Sequence, residues 1–319
     1  MPDIRPYDPT SDAATVFALW QEALGQTWPL TRAMFEHVIH GPATRPDGVN
    51  FVAVDHGRIA GFVGTASYGS NAGRVASGCI RALYVAPALQ RHGIGTALHD
   101  AALGSLRRNG LTQVQLGGGL VRFWPGVPRN LPPALAFFRA MGWDDGFTAY
   151  DLLQDLSGYS TPPDIADRMA QLPFRVGAAR EEDWPALLEF EGREFPAWSD
   201  AYRDAAYLGD YDDALLAWDG DGRVVGALLM VSPRSHPART DAPWTALLGS
   251  RLGGLGCVGV AADQRGRGIG LAMVARASEI LRERGARYAH IGWTGLVDFY
   301  GRLGYAVWRE FQISRRDIA

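Results

Sequence analysis

The sequence predicts a mixed α/β fold laid down twice, as two tandem domains, and two observations carry that expectation. A strand-like run, Ile80-Arg81-Ala82-Leu83-Tyr84-Val85, leads into Gln90-Arg91-His92-Gly93-Ile94-Gly95. Far downstream, Gly256-Cys257-Val258-Gly259-Val260 leads into Arg265-Gly266-Arg267-Gly268-Ile269-Gly270 in the same way. Each glycine pair opens a helix-like stretch, which stops at Asn109-Gly110 in one copy and at Arg284-Gly285 in the other. A motif repeated at that distance within 319 residues means two copies of one domain, each of ordinary size.

The elements follow in matching order. In the first half, Ile4-Arg5-Pro6 opens the chain, Asp12 precedes an apolar-periodic helix over 14–20, and a second helix is expected over 31–40. Runs 51–54 and 59–64 flank Asp55-His56-Gly57-Arg58 and read as a β-hairpin. Strand 79–85, a helix over 94–108, strand 114–116, a helix over 132–140 and a closing strand over 147–153 complete this half. The second half opens at Phe174-Arg175-Val176 and continues with a helix over 181–190. A hairpin follows, with runs 215–218 and 224–231 around Asp219-Gly220-Asp221-Gly222. Strand 256–260, helix 269–284, strand 288–293, helix 295–303 and strand 305–313 then repeat the first half's order. The expected domain limits are 1–156 and 173–319, with a connector at 157–172 punctuated by Ser157-Gly158 and Thr161-Pro162-Pro163. Two insertions distinguish the copies, one at 123–128 and one at 233–251. Both read as surface loops that are also placed to shape a pocket.

Composition narrows the function classes. The chain is 47% hydrophobic and 20% charged, with a net charge of −3 and no basic tract, so nucleic acid is not an expected partner. No apolar run approaches the ~20 residues of a membrane span. The start Met1-Pro2-Asp3-Ile4-Arg5 lacks the apolar stretch of a secretion signal, so a cytoplasmic location is expected. Cys79 and Cys257 are the two cysteines, far apart in strand-like runs, which suits buried thiols in a reducing compartment. No lysine occurs and all 31 basic residues are arginine, which removes Schiff-base chemistry. No His/Cys/acid spacing suggests a metal.

The glycine loops carry the chemical signal. A strand feeding a glycine-rich turn and then a helix aims several backbone N–H groups at one point, at the positive end of the helix dipole. Glycine leaves no Cβ in the way of an approaching anion. Arg91, Arg265 and Arg267 add charge nearby, so a diphosphate is the natural guest. A dinucleotide fold wants Gly-x-Gly-x-x-Gly directly after its first strand. Here each loop follows a hairpin in mid-domain, and Thr96 to Leu98 or Leu271 to Met273 stand where the third glycine belongs. An NAD(P)-dependent oxidoreductase is therefore not expected.

The runs Val85-Ala86-Pro87-Ala88-Leu89-Gln90-Arg91-His92-Gly93-Ile94-Gly95 and Val260-Ala261-Ala262-Asp263-Gln264-Arg265-Gly266-Arg267-Gly268-Ile269-Gly270 resemble the acetyl-CoA loop of the GNAT acetyltransferase superfamily. The second copy lacks the proline. Phe137-Phe138-Arg139-Ala140-Met141-Gly142-Trp143 and Phe299-Tyr300-Gly301-Arg302-Leu303-Gly304-Tyr305 resemble that family's last helix and Gly-aromatic turn. The resemblance spans both halves and is similar to the tandem architecture of mycothiol synthases. It implies, for each half, a mostly antiparallel sheet with flanking helices.

It also implies a role for each motif. Acetyl-CoA would lie on Leu83, Val85, Gln90, Arg91, His92, Gly93, Ile94 and Gly95 in the first half. In the second it would lie on Val258, Val260, Arg265, Gly266, Arg267, Gly268, Ile269 and Gly270. An amine would attack the thioester directly in a ternary complex, in a monomer or homodimer. Tyr300 matches the family's thiolate donor, whereas Phe138 in the first half has no proton to give, so the second half is expected to catalyse. The position equally suits a core tyrosine. Base candidates are Glu189, Glu191, Glu194 and His290, residues that also suit a solvated helix face or a structural histidine. The rival expectation is a non-catalytic acyl-CoA-binding protein that kept the fold, which Phe138 and the lack of an acid on the glycine-loop strands would favour.

Overall fold

The expected order of strands and helices appears in a computed structural model, which describes residues 2–40, 49–68, 77–119, 121–239 and 244–318. In chain order the first elements are β1 (Asp3–Pro6), α1 (Pro9–Leu24), α2 (Arg32–His40), β2 (Phe51–Asp55), β3 (Arg58–Tyr68), β4 (Ser77–Val85) and α3 (Ile94–Arg108). There follow β5 (Gln113–Leu116), β6 (Val127–Pro128), α4 (Pro132–Ala140), β7 (Phe147–Asp155), α5 (Pro163–Ala170), β8 (Arg175–Ala178), α6 (Trp184–Glu194) and α7 (Ser199–Tyr207). The rest are β9 (Ala214–Trp218), β10 (Val224–Val231), α8 (Thr245–Leu248), β11 (Leu252–Val260), α9 (Ile269–Glu283), β12 (Tyr288–Thr294), α10 (Val297–Gly301), β13 (Ala306–Ile313) and β14 (Arg315–Asp317).

Local chemistry sets the ends of these elements. Asp8, not Asp12, caps α1 by accepting the Thr10 N–H at 3.0 Å, and Pro9 supplies a pre-set φ in the first turn. Asp12 lies one turn inside, buried, where Arg5 grips it through two hydrogen bonds of 2.6 and 2.9 Å. The β2–β3 hairpin turns on His56 and Gly57, at φ 46° and 77°, a left-handed pair that glycine tolerates at no steric cost.

The chain divides into two compact units, 1–149 with 309–319, and 150–308. The first unit holds a sheet in the order β1-β2-β3-β4-β5-β14. Its neighbours run antiparallel except for the parallel pair β4 and β5. The other sheet runs β8-β9-β10-β11-β12-β7-β13-β6, and in it β11 and β12 pair in parallel. Each sheet therefore takes in a strand from the other half of the sequence, β14 at the edge of the first and β7 beside β12 in the second. The sequence places 147–153 in the first half's own sheet and 305–313 in the second's; β7 instead pairs with β12, while β13 stays in that same sheet beyond β7 and only the short β14 joins the first sheet. Asp155 sits opposite Tyr288, and Arg315 sits opposite Gln115. Both closing strands fit either sheet edge by pattern, so strand pattern does not choose the partner. The units accordingly differ from the limits 1–156 and 173–319.

The segment 157–172 is more than a connector. Tyr159 and Ile165, the latter on α5, are buried in the core of the second unit. That core forms where α9 lays Met273, Val274, Ala277 and Leu281 against Val225, Leu255 and Ile291 of the sheet. α3 does the same in the first unit with Leu98, Ala102 and Leu106, a stripe at helical spacing. The second unit's other face is covered by Trp184, Leu187 and Phe190 of α6 and by Tyr202 and Ala205 of α7, a helix not foreseen from the sequence.

Candidate active site

The two glycine loops fold alike. Gly93 and Gly268 cap their helices at φ 81° and 88°, a left-handed conformation that a side chain would strain. The first backbone hydrogen bonds of the helices are Ala97 N–H to Gly93 O and Ala272 N–H to Gly268 O. The amides ahead of them face outward from the helix start, as an anion site requires. Gln90 and Arg265 both reach back to the end of the preceding strand, at 3.2 Å to Val85 O and 3.1 Å to Val260 O. Arg91 takes the left-handed φ of 68° that Gly266 holds at 78° in the other copy. Arg267 stacks over Phe174 with its guanidinium carbon 4.7 Å from the ring centre.

Beyond the loop, the second unit's sheet opens. β11 and β12 pair at three positions, ending at Gly254 opposite His290, although both strands run on past that point. A bulge at Cys257, with φ 51°, shifts β11 against β10, and Trp293, with φ 56°, does the same for β12 against β7. Such bulges turn a strand's amides out of the ladder, here beside an unpaired slot. The lane over Gly256 is open, since a Cβ built there meets nothing within 4 Å. Cys257 is half-buried rather than sealed as expected, while Cys79 is fully buried.

Tyr300 on α10 stands on the α9 face of the sheet, packed in the core, and its hydroxyl makes no hydrogen bond among the described residues. Burial, with a smaller push from Cys257, raises its pKa to about 12. Its register against the first unit is set by contact. A Cβ at Gly270 would meet the Phe299 ring at 3.5 Å, and one at Gly95 would meet the Phe137 ring at 3.3 Å. Phe138 therefore occupies the place of Tyr300.

A family profile described as the acetyltransferase (GNAT) family matches residues 14–143 and again 182–305. The chain belongs to the GNAT acetyltransferase family. It is 35% identical, with a TM-score of 0.92 over 99% of its length, to a fungal structure described as a GCN5-related glucosamine N-acetyltransferase region of a multi-domain GH3 β-N-acetylglucosaminidase. It spans 38% of that longer chain. It is 27% identical to the mycothiol acetyltransferase of Actinosynnema mirum over 267 residues, 79% of this chain and 78% of that protein. A GCN5-related N-acetyltransferase from Sphaerobacter thermophilus shares the fold, at a TM-score of 0.67 and 21% identity over 99% of this chain and 96% of that one.

Within this GNAT pair the units differ at the slot. Counted back from Val85 and Val260, Arg81 holds the place of Gly256. Its side chain is 4% exposed and donates to Val38 O. Gly117 N–H bonds Ile80 O where the second unit's strands have parted. Behind it the insertion at 123–128, read as a surface loop, buries Phe123 and Trp124 against Trp20, with centroids at 4.6 and 5.1 Å. The other insertion is part core as well: Arg239 and Ser235 bond Asp213, and Trp244 is buried. Residues 240–243 of it lie outside the described residues.

The base candidates separate. Glu189 is exposed, and Glu194 is half-buried with Oε2 taking the Ala262 N–H at 3.4 Å. Glu191 is fully buried, neither carboxyl oxygen has a hydrogen-bond partner, and desolvation raises its pKa to about 8. Beside it Tyr202 donates to Cys257 O at 3.1 Å, on the bulge. His290 is buried and bonded to Asp151, a residue that sequence reading passed over because its strand was assigned to the other sheet. No helix among the described residues is long and apolar enough to cross a membrane.

Proposed function

We propose that this chain is an N-acetyltransferase that moves the acetyl group of acetyl-CoA onto a primary amine at the slot of the second unit. Its first candidate acceptor is the 2-amino group of glucosamine. The observation that carries the site is the pairing of an intact anion loop at 265–270 with an open lane at Gly256, where the first unit is filled by Arg81. The acceptor follows from the 35%-identical glucosamine N-acetyltransferase region, which is similar over nearly the whole of this chain.

In this reading Gly266, Arg267, Gly268, Ile269 and Gly270 hold the diphosphate by backbone N–H groups and the helix dipole, with Arg265 and Arg267 adding charge. The pantetheine arm runs along Val258 and Val260, taking the ladder bonds that β12 leaves unmade. An amide of the bulged strand polarises the thioester carbonyl. Tyr300 approaches the sulfur from the α9 face. With Tyr300 near 12 and a free thiol near ~8.5, full proton transfer to the thiolate is uphill by roughly 5 kcal/mol. The phenol therefore acts as a hydrogen-bond donor while charge grows on sulfur, rather than as a fully transferred acid.

The first unit retains its own loop at 90–95, so it binds CoA without turning it over: Arg81 fills the acyl position and Phe138 offers no proton. The test is a thiol-release assay with acetyl-CoA and a panel of amines, glucosamine first, with the acetylated product weighed by mass spectrometry. Release of CoA coupled to N-acetylglucosamine supports the reading. Calorimetric binding of acetyl-CoA without transfer to any amine would leave a binding protein instead.

A further inference from the structure

Asp151 and His290 form a buried pair on the sheet face opposite Tyr300. The His290 Nε2 lies 3.0 Å from Asp151 Oδ2, and the other carboxylate oxygen accepts the Trp293 N–H at 2.9 Å. A carboxylate held by two donors keeps the proton of neutral His290 on Nε2 and leaves Nδ1 as the lone-pair nitrogen. Nδ1 has no hydrogen bond among the described residues. The Trp308 ring stands edge-on to the imidazole at 5.7 Å and 89°, and Trp244 packs behind Trp308 at 6.3 Å. Asp151 is the charged partner of His290 among the described residues.

Place in the sheet gives the pair its meaning. His290 is the last β12 residue to pair with β11, opposite Gly254, where the slot begins. Ala289 and Ile291 lie in the core with Tyr300, so strand alternation sends His290 to the other face. The first unit supplies an internal contrast. Gln115, opposite Cys79 on β5, holds the equivalent place. Its amide is tied to Pro125 O at 3.0 Å and to the Arg315 guanidinium at 2.9 Å. The unit with a filled slot has an amide there, and the unit with an open slot has an imidazole backed by a carboxylate.

We propose that His290 Nδ1 is the base that deprotonates the acceptor ammonium, with Asp151 as the residue that positions it; this rests on the acetyl transfer proposed above. Nδ1 takes one proton from R–NH3+, the freed amine forms the N–C bond to the thioester carbon, and the C–S bond breaks. The thiolate leaves hydrogen-bonded by the Tyr300 hydroxyl, the second amine proton passes to water, and the thiolate takes up a proton from water. The products are the amide and CoA thiol, and imidazolium returns its proton to water. Hydrogen-bond donor and base thus work from opposite faces of one slot, and Asp151 reaches the site because β7 crosses into the second unit's sheet.

Two measurements on the full chain decide it. In nitrogen-15 NMR of labelled histidine, His290, assigned by its loss in His290→Gln, should show protonated Nε2 and a bare Nδ1 that shifts when glucosamine joins CoA. An Nδ1–H tautomer, or no response, overturns the proposal without any need for turnover. In kinetics, His290→Gln, which installs the first unit's residue type, should lower kcat/KM about 10²-fold and remove the acidic limb of its pH profile, with CoA affinity unchanged. Asp151→Asn should lower the rate and let the Nδ1–H tautomer of His290 appear in the nitrogen-15 spectrum, because an amide can donate to Nε2, and Asp151→Glu should restore part of both. A His290→Gln enzyme with the wild-type rate and limb overturns the base and leaves acetyl transfer standing. A wild type that acetylates no amine overturns the transfer, and the NMR result still judges the pair.

Discussion

Gly256 and Arg81 occupy the same position in two copies of one strand, and they leave opposite spaces. At Gly256 nothing lies within 4 Å of where a Cβ would be, whereas the Arg81 side chain is buried and bonded to Val38 O. Both copies keep the loop and helix, and in the function proposed above the acyl position of the first is closed. Gly256→Arg should therefore convert the second unit to the state of the first. Turnover is expected to fall by at least ~10²-fold, as misplacing a reacting group does, with CoA binding reduced far less. Retained turnover, measured by thiol release, would place the acetyl group elsewhere.

The loops give a second asymmetry. Gly268→Val forces a β-branched residue to φ 88° and puts a side chain in the anion's path. Calorimetry should show weakened CoA binding, and turnover should vanish. Gly93→Val does the same to the first unit and should leave most turnover intact. The opposite pattern would move catalysis to the first unit; circular dichroism on both variants separates this from unfolding.

Tyr300→Phe removes a hydroxyl that has no partner among the described residues and keeps the ring in its core. The phenol meets the sulfur only as charge appears, so its loss falls on the transition state. An expected drop of about 10²-fold in kcat, with Tm and CoA affinity nearly unchanged, follows from the size of a general acid–base contribution. Wild-type kcat would make Tyr300 a packing residue.

Glu191 ties stability to pH. Its carboxyl rises from 4.5 to about 8 because it is desolvated. Below pH 4.5 both folded and unfolded chains hold the proton, and the carboxyl has no linked effect. Between pH 4.5 and 8 the unfolded chain ionises first, so stability falls as pH rises through that window. Glu191→Gln cannot ionise and should be more stable at pH 7, by on the order of 3 kcal/mol. Urea unfolding at pH 5 and 7 reads the difference; an equal effect at both pH values would show that Glu191 is charged when folded.

Asp213 binds the Arg239 guanidinium at 3.2 Å and Arg284 at 2.6 Å, in a cluster where all three side chains are at most 9% exposed. Asp213→Ala would leave two buried cations without their shared partner, at an expected cost of about 3–5 kcal/mol. Thermal unfolding should show a large loss of Tm. A change near zero would mean that Asp210 and Asp212 take over both arginines.

The sequence by itself determined whatever depends on local order. The hairpin at His56-Gly57, the helices over 94–108 and 132–140, both glycine loops and the Phe138–Tyr300 pairing follow from spacing and from residues that few conformations accept. Tertiary structure alone decided what depends on which surfaces meet. It sent 150–155 into the second unit's sheet and 315–317 into the first, a choice to which a two-residue periodicity is blind because either edge buries the same face. That choice set Asp151 beside His290, which lie far apart in the chain. It also turned the 123–128 insertion from an expected loop into buried Phe123 and Trp124, since aromatic residues just ahead of Pro125 and Pro128 give no sign of the space they will fill. Gly256 is silent in the same way: a glycine shows that a side chain is missing, and only its neighbours show whether the space is open.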